Sequence, residues 1–187
     1  MAKAYGLRPI RHLNNAEIAS TSMTIASGYA TSIYSGDLVT RIADGTITQT
    51  AAGGVAIGVF DGCHYTAANG EIVFSPMWPA GTVATNIRCF VYDDPRIVYS
   101  IFDDGDADFL TAADVGTSAD IVVGTGTAVT GRSGMMLDTS NASASAGQLK
   151  IRDIVERVGN EWGTANGHQV EVEVVLNEHF YSQAAGI

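Results

Sequence analysis

The sequence predicts an all-β protein, an antiparallel sandwich or barrel carrying an extended N-terminal arm. Three observations lead there. Some ten short apolar runs are separated by glycine turns. Two of the runs alternate cleanly, Ile97–Phe102 and Val170–Leu176, with the period of two that a half-buried strand shows. Almost nothing repeats with helical spacing, and antiparallel sheets are the architecture that many short strands and tight turns build.

Residues 1–19 read as the arm. Lys3, Arg8 and Arg11 are its basic residues, and no acid occurs before residue 12. Pro9 fixes its own φ and biases Arg8 towards extended geometry. Ala4–Ile10 has neither a helical stripe nor strong alternation, so the segment is expected to lack a core of its own and to order on a partner. Residues 20–187 are expected to form a single β body.

Within that body, Met23–Ser27 and Ala30–Tyr34 flank Gly28, and Leu38–Ile42 leads into Ala43-Asp44-Gly45-Thr46. Asp-Gly supplies the positive φ that tight hairpin turns need, so Ile47 starts a return strand. Val55–Phe60 is apolar with Gly58 inside it, the mark of a bulge or of a close backbone approach. Ala68-Asn69-Gly70 repeats the turn chemistry ahead of Ile72–Ser75. Pro76 and Pro79 bracket Trp78 in an expected rigid loop. Ile87–Tyr92 and Arg96–Phe102 are strands around Asp93-Asp94-Pro95. Thr111–Val115 is the best short helix, with Thr111 as N-cap and Asp114 three residues on. Ile121–Gly124 reads as a strand, and the small residues of Thr139–Gly147 as an exposed loop. Gln148–Val158 mixes both periods and reads as a strand running into a turn.

Composition bounds the function. The chain has 187 residues, 46% hydrophobic and 16% charged, with a net charge of −10. Its length suffices for a substantial core. Phosphate backbones are held by Lys and Arg, and only ten are spread along this acidic chain, which argues against nucleic acid. No apolar run is long enough for a membrane span, and the first fifteen residues show no secretory signal. Cys63 and Cys89 make no disulfide framework and read as buried thiols.

Catalytic and ligand motifs fail on physical grounds. Gly126–Ser133 (GTAVTGRS) is one residue from a phosphate-binding loop, but Gly134 follows where a helix must open. Asp104, Asp106 and Asp108 have the first three spacings of a calcium loop. Phe109 then replaces the turn glycine and Val115 the bidentate glutamate. The cluster is open to three readings: solvated loop, docking face, or surface cation site. Ser133 lacks the following glycine of a nucleophile elbow. His12, His64, His168 and His179 are scattered, and alternation sends Cys63 and His64 to opposite faces. No enzyme, cofactor or resident metal is expected. Trp78 and Trp162, with Tyr65, would suggest sugar stacking if exposed and loop anchors if buried.

Taken in order, the turns and strand ends form a recognisable series. Tyr5-Gly6-Leu7-Arg8-Pro9 opens it, Ile57-Gly58-Val59-Phe60 and Cys63-His64-Tyr65 follow, then Phe74-Ser75-Pro76 and Trp78-Pro79-Ala80-Gly81-Thr82. Tyr92-Asp93-Asp94-Pro95, Ala113-Asp114-Val115-Gly116, Gly131-Arg132-Ser133-Gly134 and Val174-Val175-Leu176-Asn177-Glu178-His179 complete it. This arrangement resembles the capsid cement, or decoration, proteins that stabilise the heads of tailed bacteriophages. The resemblance implies a non-enzymatic, commonly trimeric β protein made in the bacterial cytoplasm. It would sit on the capsid exterior and clamp neighbouring major capsid subunits after expansion. It implies no catalytic or metal residues. The arm would add a strand to a capsid sheet through Lys3, Tyr5, Leu7, Arg8, Ile10 and Arg11, with Arg8 and Arg11 meeting carboxylates. The alternative is a carbohydrate- or receptor-binding β module on the virion head or tail.

Overall fold

The computed structural model describes residues 4–106, 108–142, 146–163 and 168–182. The fold is all-β and sandwich-like, and every pairing between its named strands is antiparallel. The first sheet runs β1 (Arg8–His12), β10 (Ile97–Phe102), β15 (Glu171–Leu176), β14 (Leu149–Ile154), β11 (Ser118–Ala119). The second runs β2 (Thr21–Met23), β9 (Ala84–Tyr92), β6 (Gly58–Ala67), β4 (Leu38–Arg41), β5 (Ile47–Gln49), with β7 (Ile72–Ser75) also paired to β6. Two small ribbons pair β3 (Ile33–Tyr34) with β8 (Met77–Trp78) and β12 (Ile121–Val122) with β13 (Met136–Leu137).

The expected hairpins form. Ile42 and Thr46 close the Asp-Gly turn between β4 and β5, and Ala67 and Glu71 close the Asn-Gly turn between β6 and β7. Gly58 marks a close approach: a Cβ there would lie 2.3 Å from the Tyr92 carbonyl oxygen of β9. The short helix at Ala112–Asp114 is a single 3-10 turn with a complete capping box between Thr111 and Asp114. β14 is the strand expected within Gln148–Val158, and Arg157 and Asn160 bridge the turn beyond it. In the loop expected at 139–147, Ser140, Asn141 and Ala146 are exposed, Thr139 is buried and bonded to the acidic loop, and residues 143–145 lie outside the described residues.

Two hydrophobic cores result. The first lies against β10, β14 and β15 and includes Tyr99, Ile151, Val172 and Val174. The second collects Ile25, Ile33, Phe60, Cys63, Trp78 and Val91. One sheet serves both. On β4, Leu38 enters the first core and Val39 the second; on β6, Val59 and Phe60 divide in the same way. Alternate side chains of a strand point to opposite faces, so this end of the second sheet is covered on both sides.

The N-terminal segment corrects the expectation of an arm without its own core. It is extended, but it is docked. β1 pairs with β10, Arg8 opposite Ser100 and His12 opposite Ile97, and Leu7 is buried in the first core at 1% exposure. Gly6 has φ +73°, and a Cβ there would lie 2.4 Å from both the Gly36 carbonyl oxygen and the Ser133 Cβ. The backbone therefore passes where no side chain fits. A short segment earns its place here through one deeply buried leucine and a ladder of backbone bonds, neither of which a local periodicity reveals. Residues 13–20 then cross in mostly exposed coil to β2 on the second sheet, so the boundary expected at residues 19 and 20 is a crossing between sheets.

Candidate interaction surface

The six residues assigned to capsid contact separate by environment. Tyr5 packs edge-on to Phe102, with ring centroids 5.2 Å apart, and its hydroxyl donates to the Glu171 carboxylate. Burial, with Glu171 beside it, pushes the phenol up to about 12. Leu7 is core. Arg11 is ion-paired with Glu173 on β15. Arg8 lies over the Tyr5 ring, its guanidinium carbon 4.8 Å from the centroid, and makes no ion pair among the described residues. Ile10 is unpaired at a bulge between Pro9 and Arg11 and is exposed. Lys3 lies outside the described residues. Of the described set, Arg8 and Ile10 are the exposed residues that lack, respectively, an ion-pair partner and a strand partner.

β1 is the edge of its sheet. An edge strand leaves backbone donors and acceptors for another chain, less the donor that Pro9 lacks. Beside it lies a cleft of about 320 Å³ lined by Tyr5, Arg8, Asp61, Tyr92 and Arg132 among others. Tyr92 donates to Asp61 at 2.9 Å. Arg132, like Arg8, has no carboxylate within ion-pair distance among the described residues.

A second feature was missed from the sequence. The face of the second sheet that carries Val59 and Tyr92 against the first core continues beyond it. Register places Phe90 opposite Gly62, Arg88 and Phe74 each opposite His64, and Ile72 opposite Thr66. Paired residues share a face. The covering sheet stops short of them, so Phe74 is 77% exposed, Ile72 67% and Phe90 36%. His64 stacks on Phe74, with centroids 5.4 Å apart, and lies 6.0 Å from the Phe90 ring. The signal was present: Ile72, Val73 and Phe74 put apolar groups on both faces of a short strand following a turn, and one of those faces needs a partner.

The other motifs resolve into structural roles. Cys63 and His64 do face opposite ways, Cys63 into the second core. His12 accepts the Asn14 amide at Nδ1 and turns Nε2 to Asp94 at 3.2 Å. His179 is buried, and desolvation holds its imidazole below the ordinary value. Ser133 accepts the Met135 amide at 2.9 Å, and nearby Asp37, which accepts from the Tyr34 amide and Gln49, has its carboxyl pushed up by burial. The GTAVTGRS stretch is a β turn, closed by Thr127 and Arg132. Trp78 is wholly buried and meets Tyr65 edge-on at 5.2 Å, while Trp162 is half-buried against the first core.

The acidic loop folds back onto the end of β13. Carboxylate oxygens of Asp104, Asp106 and Asp138, rather than Asp108, lie within 4.8 Å of one another. Thr139 donates to Asp104 and Asp106 at 3.0 and 2.8 Å, and the Asp108 amide donates to Asp106 at 2.8 Å. Burial, and then the neighbouring carboxylates, push Asp104 up. These are the oxygen donors a hard divalent cation takes, but three carboxylates fall short of the roughly six to eight oxygens that calcium collects.

Comparison of the chain with protein-family models, with curated proteins and with solved structures finds no match.

Proposed function

We propose that this protein is a non-enzymatic cement protein of a tailed-bacteriophage head. It would bind the outer surface of the expanded capsid and clamp neighbouring major capsid subunits. The observation that carries the reading is the bare row of Phe90, His64, Phe74 and Ile72 on a sheet face that is elsewhere a core wall. Contiguous exposed apolar surface of this kind marks a site of protein association. Phage capsid attachment is suggested by the resemblance of the chain's series of turns and strand ends to that of decoration proteins.

Two contacts would hold the molecule. A capsid strand adds to the open edge of β1, its backbone bonds supplying affinity and alternate side chains the register. Arg8 and Arg132, flanking the adjacent cleft, receive carboxylates of the shell. The aromatic row packs against a capsid subunit or against a second copy in a trimer. Many copies bound at several points each convert weak contacts into avidity. Of the three aromatic platforms that the carbohydrate-binding alternative would use, Trp78 and Tyr65 are buried against each other and Trp162 is half-buried.

The test is co-sedimentation of the purified protein with expanded capsids that lack it. Saturation at a fixed ratio to the major capsid protein supports the reading. Absence of binding by a folded protein overturns it.

A further inference from the structure

We propose that Cys63 and Cys89 form a disulfide site, closed within one chain when the folded protein meets a peroxide. The geometry is already in place. Cys63 on β6 and Cys89 on β9 are direct partners in the antiparallel register. Directly opposed residues have Cα atoms about 4.5–5.5 Å apart, inside the window of about 4.4–6.8 Å that a disulfide spans. Partners share a face, and both side chains lie in the second core, at 2% and 0% exposure. Both are free thiols in the structure.

The two thiols also interact. A hydrogen bond with Cys89 holds Cys63 below the ordinary thiol value, and the same contact pushes Cys89 up. The thiolate is the reactive form, and Cys63 is the thiol whose value is held down. Its thiolate attacks hydrogen peroxide, forming an S–O bond as the O–O bond breaks and hydroxide leaves. Cys89 sulfur then attacks the resulting sulfenic acid. The S–O bond breaks, the sulfenic hydroxyl takes the Cys89 proton and departs as water, and the S–S bond forms, while the hydroxide of the first step takes up the proton that Cys63 released on ionising. The sum is two thiols and one peroxide giving one disulfide and two waters. Peroxide is small enough to reach a buried pair during local opening of the strands, and the proximity of the second thiol intercepts the sulfenic acid before further oxidation. The proposal needs only the fold and stands apart from the capsid reading.

The experiment uses the full chain, oxidised with hydrogen peroxide, quenched, then denatured in excess alkylating agent for intact-mass measurement. The reduced protein takes up two alkyl groups. The oxidised protein should take up none, weigh two hydrogens less, and run as a monomer on a non-reducing gel. Its melting temperature should exceed that of the reduced form by about 5 °C or more, because the bridge restricts the unfolded chain. Methionine oxidation supplies the internal control, since Met23 and Met136 are half-exposed. Retention of both thiols at peroxide doses that convert these methionines to sulfoxide would overturn the proposal. So would sulfinic acid at one cysteine, disulfides between chains, or an oxidised form that melts below the reduced one. A Cys89→Ser variant should lose the protected mass and accumulate higher oxides at Cys63.

Discussion

The Tyr5 hydroxyl donates to the carboxylate of Glu171, a residue 166 positions further along the chain. Arg157 pairs with the same carboxylate at 2.5 Å. Asn160 meanwhile bonds both backbone groups of Glu171 at 2.8 Å. The start of the described chain is thus fastened to the centre of the first sheet, where Glu171 is almost wholly buried. Leu7→Ala should cost about 2–5 kcal/mol, the range for emptying a buried leucine site. Tyr5→Phe, which leaves Arg157 on the carboxylate, should cost about 1 kcal/mol. Urea unfolding separates the two, and equal effects would mean that the segment is not seated in the core.

Asp103 makes stability depend on pH in an unusual direction. Burial pushes its carboxyl up to about 6, against the pull of the Val170 amide and with help from Asp104 and Asp106. An unfolded chain ionises aspartate near 3.9. The native state therefore keeps a proton that the unfolded state has lost, so this stabilisation is complete below about pH 4 and disappears as pH rises through about 6. Asp103→Asn preserves the acceptor for Val170. It should melt about 3 °C above the parent at pH 7.5, as ~1 kcal/mol produces in a chain of this size, and together with it at pH 4. A constant difference across that range would assign the effect to packing.

Gln148 is a buried connector. Its Oε1 accepts the amides of Gly53 and Ile121 at 3.0 and 3.2 Å, and its Nε2 donates to the carbonyls of Ala51 and Gly54 at 3.0 and 2.6 Å. Gln148→Leu keeps the volume and strands four backbone groups, each costing on the order of 1–3 kcal/mol if left dry. We expect a loss of at least about 3 kcal/mol in chemical denaturation. A loss below ~1 kcal/mol would show that water replaces the side chain.

Phe74 is exposed and can be changed without touching either core. Phe74→Asp should shift the melting temperature by no more than about 2 °C, as surface substitutions do. It should weaken capsid attachment at least tenfold in co-sedimentation. Unchanged occupancy would remove the aromatic row from the binding surface.

The strands were legible as apolar runs bounded by turn residues, even though Ile97–Phe102 is buried at every position and Val170–Leu176 at all but the half-buried Glu173 and Val175. Ile97–Phe102 and Val170–Leu176 state their period directly, and the Asp-Gly and Asn-Gly turns place two hairpins to the residue. Thr111 and Asp114 announced their cap. The docking of Tyr5 and Leu7 was hidden because it depends on pairing with β10, nearly a hundred residues away, and six residues are too few to show a period. Thr139 shows why composition misleads in loops: a serine- and alanine-rich stretch reads as exposed until acceptors from a distant loop bury its first hydroxyl. The aromatic row was hidden for a different cause. Exposure at Phe74 is decided by how far the covering sheet extends, which no local pattern encodes.

A sheet whose neighbouring residues feed different cores leaves no seam at which the molecule can be divided. Leu38 and Val39, or Val59 and Phe60, cannot be assigned to separate halves, so neither half could be cut out and grafted onto another scaffold. An inserted residue in β4 or β6 would swap the two sets and spoil both cores at once. Sequence drift should accordingly be tolerated at the 13–20 crossing and the hairpin tips, while these two strands keep their length.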